Sequence, residues 1–427
     1  MERFFSILKR IVYHKDLRNK ILYSFALILI FRIIAHIPLP GVDTQKLTQL
    51  FQNNQMLGLL DLFSGGSVSR FSLAMLGVGP YITSSIIIQL LTSAVPSLEE
   101  LQKEGEYGRQ KINQYTRYLS IPLALVESFG LLRLLQSQNV IGEINLVSTL
   151  LIMITATAGS ALIMWLGELV SENGIGNGVS LLIAVGIVAG IPGQIAATSQ
   201  VLEGKLILAI EMIIAAIAMV VFIVYTNEAE RRIPVSYARR IRQGRVTSMV
   251  DSYLPIKVNA AGVIPIIFAT SILVMPGVIR QALSGSSVEK VKNIALAMQR
   301  FFSNELYYGS LFFVLVFAFT FFYTSVIFQP KNIAENLQKQ GGFIPGIRPG
   351  NQTAEYFASV IYKITFAGAF FLSIIAVFPF FLQSVTKIPT LAIGGTGILI
   401  IVSVTLETVR QIKAQLAMRS YDDIMQQ

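Results

Sequence analysis

The chain has 427 residues, of which 53% are hydrophobic and only 14% charged, with a formal net charge of +10. An ordinary soluble domain carries a charged fraction of roughly 25%, so this composition excludes one and indicates a polytopic α-helical membrane protein. Cysteine is absent, which excludes disulfides and thiolate chemistry, and two histidines, His14 and His36, leave almost nothing for a metal site.

Residues 1–20, MERFFSILKRIVYHKDLRNK, are basic and amphipathic. They lack the short apolar core and small-residue cleavage site of a signal peptide, so they are predicted to form an arm along the membrane surface. Apolar runs follow at about 21–38, 74–95, 118–135, 148–166, 179–200, 206–226, 258–278, 306–328, 364–382 and 390–409, which predicts ten spans. The run at 179–200 is the weakest, because Gly186, Gly190 and IPG (191–193) interrupt it. Continuous runs of this length are unlike the alternating pattern of a membrane β-barrel.

An even number of spans places both termini on one side. One alternate set of intervening segments holds 24 Lys and Arg and the other holds 9. That imbalance predicts that the termini and the long basic connections are cytoplasmic.

The polar, glycine-broken segment LLDLFSGGSVSRFS (59–72) joins directly to LAMLGVGPYITSSIIIQLL (73–91). Charge and irregular backbone at membrane depth are tolerated only where protein or a water-filled cavity surrounds them, so this segment predicts a pore or cavity. Immediately after it, Val78, Ile82, Ser85 and Gln89 recur at helical spacing and form a stripe that changes from apolar to polar.

Two of the connections predicted to be cytoplasmic are far longer than a turn requires. The first, 227–257, concentrates Arg231, Arg232, Arg239, Arg240, Arg242 and Arg245. It reads either as a topology signal touching anionic headgroups or as a docking surface for an acidic or nucleic-acid-rich partner. The second, 329–363, is punctuated by GG, IPG and RPG, which predicts Arg348 on a tight turn with its guanidinium held outward.

Arg32, His36 and Glu211 are ionisable residues placed inside spans, and they support a rival reading, a secondary transporter with a midplane substrate site. GIGNGVS (174–180) would open a half-helix in such a protein. Against this, His36 and Glu211 lie near span ends, and no carboxylate or His pairs within a span at helical spacing. An enzyme fits worse still. SGGS (64–67) lacks an organised base, and no GxxxxGK[ST] phosphate loop occurs, so nucleotide energy must come from a partner.

Six strings in order resemble the SecY family, the channel subunit of the bacterial protein-conducting translocon. They are FSGGSVSRFSLAMLGVGPYITSSIIIQLL (63–91), KEGEYGRQKINQYTRYL (103–119), GELVSENGIGNGVSLLI (167–183), ERRIPVSYARR (230–240), LPIKVNAAGVIPIIFATSI (254–272) and GGFIPGIRPGNQTAEY (341–356). The resemblance implies an all-α polytopic membrane protein of ten transmembrane helices around a central pore. Its two pseudo-symmetric five-helix halves are 21–200 and 201–409, followed by a cytoplasmic tail at 410–427; the sequence shows no internal repeat.

Within that frame the segment around Asp61, Leu62, Phe63, Ser64, Gly65, Gly66, Ser67, Val68, Ser69 and Arg70 resembles the family's plug, a short re-entrant helix that blocks the resting pore. The paired glycines loosen its backbone, and its serines are expected to stay hydrated, so that it leaves without stripping a large apolar core. A plain re-entrant connector is the other reading. Val78, Ile82, Val179, Ile183 and Ile267 match the aliphatic pore ring, and the tenth-span position falls on Thr405, with Val404 adjacent. Ordinary helix packing is the alternative for each.

Gln89 and Asn259, with Thr83 as a weaker third candidate, match polar positions of the lateral gate. Amides in two spans are expected to hydrogen-bond across the closed seam or to satisfy neighbouring backbone. The resemblance further implies a passive channel without cofactors, acting with the small SecE and SecG subunits, the SecA ATPase, ribosomes, membrane lipids and unfolded signal-bearing polypeptides. Arg231, Arg232, Arg239, Arg240, Arg242 and Arg348 would carry motor and ribosome docking.

Overall fold

A computed structural model of the chain describes residues 14–39, 47, 61, 64–138, 140–142, 145–201, 206–237, 252–284, 293, 304–386 and 390–425. Each of the ten apolar runs falls on a helix. They are α1 (Lys15–Ile34), α2 (Gly79–Ala94), α4 (Glu106–Ser137), α5 (Leu146–Asn173), α6 (Gly178–Val201), α7 (Leu206–Glu228), α8 (Ile264–Ser284), α9 (Glu305–Ile327), α11 (Asn351–Thr386) and α12 (Thr390–Met425). The interrupted run at 179–200 is helical through Pro192.

Among the described residues, six helices are long and apolar enough to cross a membrane: α4, α5, α6, α7, α9 and α11. A seventh candidate is α2 together with the short α3 (Pro96–Lys103), which turns away by 100°. The bend has a plain cause. Val95 before Pro96 is held extended (φ −108°, ψ 112°), and Pro96 then opens the new helix at a position where its missing N–H costs nothing.

The central apolar core joins nearly every long helix. Ile34 of α1, Ile82 of α2, Ile163 of α5, Ile183 of α6, Ile267 of α8, Phe312 of α9, Ile375 of α11 and Val404 of α12 belong to it. A second core packs Val68, Phe71 and Met75 against Leu132 and Leu135 of α4 and Ala156 of α5. Outward faces stay apolar as well, with Ile207, Ile210, Ile213, Ile214 and Ile217 of α7 all exposed. A helix apolar on both faces suits a lipid solvent and no aqueous one.

Beside the helices the fold carries a small sheet. The two long connections fold together into a small domain, in which β1 (Glu230–Tyr237) lies between β2 (Ser252–Lys257) and β3 (Gly342–Phe343), both antiparallel to it. Helix α10 (Pro330–Lys339) closes the domain. Ile233 and Val235 point inward while Arg231, Arg232 and Pro234 stay exposed, the period-2 burial of a one-sided sheet. Their inner face meets Ile256, Ala334 and Leu337, and Phe357 from the start of α11.

Candidate functional site: a cavity among the helices and the turn segment at 64–72

From Ser64 onward the re-entrant segment is a chain of turns locked by its own polar groups. Asp61 organises it. Its carboxylate accepts from the Ser69 N–H at 2.8 Å, and its carbonyl accepts from Gly66 N at 2.8 Å and Ser64 Oγ at 3.0 Å. Leu62 and Phe63 lie outside the described residues. Two expectations are corrected here. Ser64 and Ser67 are buried, at 4% and 0% exposure, so they are not hydrated. Val68 and Phe71 are packed in the second core, so the downstream end of the segment cannot leave without exposing apolar surface.

The first span reaches over to hold this segment. Arg32 Nη1 donates to the Gly65 carbonyl at 3.1 Å. His36 Nδ1 donates to the Arg32 carbonyl at 2.7 Å, which leaves Nε2 free to accept from the Arg70 guanidinium. Two of the three ionisable residues that suggested an ion pathway are therefore engaged with the re-entrant segment. Glu211, the third, is exposed on α7.

A cavity of about 350 Å3 opens between α2, α4, α5, α6, α8 and α9. Its lining combines aliphatic Ile82, Val179, Ile183 and Ile267 with polar Gln89, Asn113, Arg117, Glu168 and Glu172. Val78, the residue before α2, is buried in the same central core as Ile82, Ile183 and Ile267. Four of the six predicted ring residues thus come together on the cavity from α2, α6 and α8. Thr405 does not: it is exposed and does not line the cavity, whereas Val404 is 3% exposed and belongs to the central core.

The predicted gate residues do not bond to one another. Gln89 Nε2 reaches Ser85 Oγ on its own helix at 3.4 Å, and its Oε1 is buried without a partner. Asn259 Nδ2 instead donates to Asn227 Oδ1 at 2.7 Å, and Asn227 Nδ2 donates to Ser403 Oγ at 3.0 Å. Thr83 faces α4, with its hydroxyl 3.1 Å from the Gly79 carbonyl and 3.4 Å from Glu127 Oε1. The amide-to-amide bond across a seam is therefore replaced by a relay joining the end of α7, the turn before α8, and α12.

A model of the SecY family matches residues 72–409. The chain belongs to the SecY family. Among curated relatives, the protein translocase subunit SecY of Streptomyces galbus is 40% identical over 96% of this chain and 97% of its own length. The same subunit from Mycobacterium bovis is 41% identical over the same shares. Two solved structures share the fold at lower identity. A protein-conducting channel superposes with a TM-score of 0.65 at 20% identity, over 92% of this chain and 91% of that one. Sec61 in the canine ribosome-channel complex from the endoplasmic reticulum superposes with a TM-score of 0.62 at 20% identity, over the same shares.

In this SecY-family chain the sheet domain carries the described docking candidates. Arg231 and Arg232 are exposed on β1, with Arg232 Nε 2.7 Å from Glu230 Oε1. Arg348 is exposed on the turn leading into α11, and its carbonyl accepts from Thr353 Oγ1 at 3.0 Å. Arg239, Arg240, Arg242 and Arg245 lie outside the described residues. At the base of the sheet, burial first and Arg410 second push the Lys257 ammonium below the usual lysine range.

Four functional candidates escaped the sequence reading: Asn227, Ser403, and the Arg117–Glu168 ion pair lining the cavity at 2.6 Å. Asn227 sits just past an apolar run, where a polar residue looks like a span end. Arg117 was counted only as topology charge.

Proposed function

We propose that this SecY-family chain is the central, channel-forming subunit that passes unfolded secretory polypeptides across the cytoplasmic membrane and releases membrane-protein segments sideways into it. The observation that carries the reading is the cavity: aliphatic Ile82, Val179, Ile183 and Ile267 line it together with polar Gln89, Asn113, Arg117 and Glu168, and Gly65 sits against Gly186 of α6, three residues past Ile183. An aliphatic collar yields around varied side chains yet leaves a dry constriction that ions cross poorly. Val78 completes the collar on α2, and the buried Val404 suits the α12 position better than the exposed Thr405.

In this reading residues 61–70 are the plug, and ten spans form the halves 21–200 and 201–409 with both termini cytoplasmic. Gln89 and Thr83 border the lateral exit on α2. The excess of Lys and Arg on one set of connections supports the orientation. The partners are SecE and SecG in the membrane, with SecA and the ribosome docking on the sheet domain through Arg231, Arg232, the neighbouring arginines 239, 240 and 242, and Arg348. The likeness to a Sec61 structure in a ribosome-channel complex supports a ribosome as a partner.

Reconstitution tests the proposal directly. The chain is copurified with SecE, placed in liposomes, and offered SecA, ATP and a signal-bearing precursor; protease-protected precursor is expected. A correctly inserted complex that protects none under any condition overturns the channel reading.

A further inference from the structure

We infer that Gly186 on α6 is the seat of the plug, and that its missing side chain, together with the Arg32 hydrogen bond, sets how readily the plug leaves. This rests on the reading of 61–70 as the plug.

Gly65 and Gly186 meet backbone to backbone. A Cβ built on Gly186 would lie 2.7 Å from Gly65 Cα and 3.2 Å from Gly65 N, and a Cβ built on Gly65 would lie 2.8 Å from Gly186 Cα. No flexible side chain stands between them to yield, so any larger residue at either position forces main chain apart. Gly65 also holds φ at +71°, which an L side chain rarely adopts, so a substitution there would confound seat with turn. Gly186 is free of that ambiguity, since it lies inside a regular helix.

Gly65 is also contacted by α1. Arg32 Nη1 donates to its carbonyl at 3.1 Å, and Phe31 Cζ would stand 3.6 Å from a Cβ on Gly65. The plug is thus pinched at one residue between α1 and α6, while Val68 and Phe71 are fixed in the core formed with α4 and α5. Displacement therefore pivots on the fixed end and must break the Gly65 contact first. A tight glycine pair gives shape without adhesive side-chain area, which suits a seal that has to release.

A control lies one turn along the same helix. At Gly190 an added Cβ meets only Gln194 Nε2, at 4.0 Å. The test uses the full complex with SecE in planar bilayers, reading resting ion leak. Gly186→Ala is expected to raise the leak roughly tenfold, equivalent to weakening the seat by about 1.4 kcal/mol, and to admit precursors with weakened signals. Gly190→Ala should stay as tight as the parent. In a background lacking 61–70, Gly186→Ala should add nothing, because there is no plug left to unseat.

Should Gly186→Ala fail to assemble, Arg32→Met removes the donor to Gly65 without adding bulk against α6, and its leak should likewise vanish as an increment in the deleted background. A tight Gly186→Ala channel beside a leaky deletion overturns the seat while leaving the plug intact. A tight deletion overturns both readings. Leak that adds to that of the deletion, or an equal leak from Gly190→Ala, places the defect elsewhere in α6 and also overturns the seat.

Discussion

Asn259 and Asn227 share a buried hydrogen bond of 2.7 Å across 32 residues, and Asn227 passes it on to Ser403 at 3.0 Å. The relay ties the turn before α8 to α7 and α12. Removing one amide strips the other of its shorter buried bond, leaving Asn259 only the Gly262 carbonyl at 3.3 Å or Asn227 only Ser403, a cost of roughly 1–3 kcal/mol. Asn259→Ala and Asn227→Ala should each lower the melting temperature of the solubilised complex, and the double variant should cost much less than their sum. Asn259→Ala combined with Gln89→Ala should instead be additive within about 0.5 kcal/mol, because those two residues bond elsewhere. Strong coupling of the second pair would restore a direct amide bridge between α2 and the turn before α8.

The ten runs were legible because lipid demands long uninterrupted apolar sequence, which one-dimensional reading detects well. Local pattern also revealed the stripe of Val78, Ile82, Ser85 and Gln89, since the periodicity of a helix lies in the sequence itself. The partners of polar residues were not legible in this way. Arg32 finds Gly65 at a distance of 33 residues, and Asn227 finds Ser403 at 176, and no local rule encodes such pairings.

The sheet escaped for a different reason. Arg231 and Arg232 drew the reading toward charge and away from the inward Ile233 and Val235, although RIPVSY carries the alternating signal of a strand. Thr405 and Val404 differ by a single step on a helix, where one residue means a rotation of about 100° and a different face.

Arg117 and Glu168 form a 2.6 Å ion pair on the cavity wall, with side-chain exposures of 41% and 14%. The less exposed carboxylate suffers more from losing its partner, while solvent screens part of the attraction. Arg117→Gln should therefore destabilise the complex by about 1 kcal/mol, and the charge-exchanged pair Arg117→Glu with Glu168→Arg should recover part of that in thermal melts. Equal melts for the parent and both variants would mean that the pair contributes nothing to folding.

Arg348 stands exposed on a turn beside the sheet domain, held through its carbonyl by Thr353 and with its side chain outside the core. Arg348→Glu should leave insertion and complex assembly intact while sharply reducing SecA-driven translocation, because reversing a docking charge converts attraction into repulsion. Translocation at the parental rate in an assembled complex would remove Arg348 from the docking surface.

The α12 position of the collar separates two adjacent residues with opposite burial. Val404 is 3% exposed and shares the central core with Ile82, Ile183 and Ile267, whereas Thr405 is exposed and lines no part of the cavity. The chain contains no cysteine, so single thiols can be placed without background. With a precursor stalled in the channel and carrying a thiol-reactive probe, Ile82→Cys, Ile267→Cys and Val404→Cys should crosslink strongly and Thr405→Cys weakly. Reaction at 405 with none at 404 would return the collar to the hydroxyl-bearing position, and contact of all four with lipid probes alone would place the polypeptide path outside this cavity.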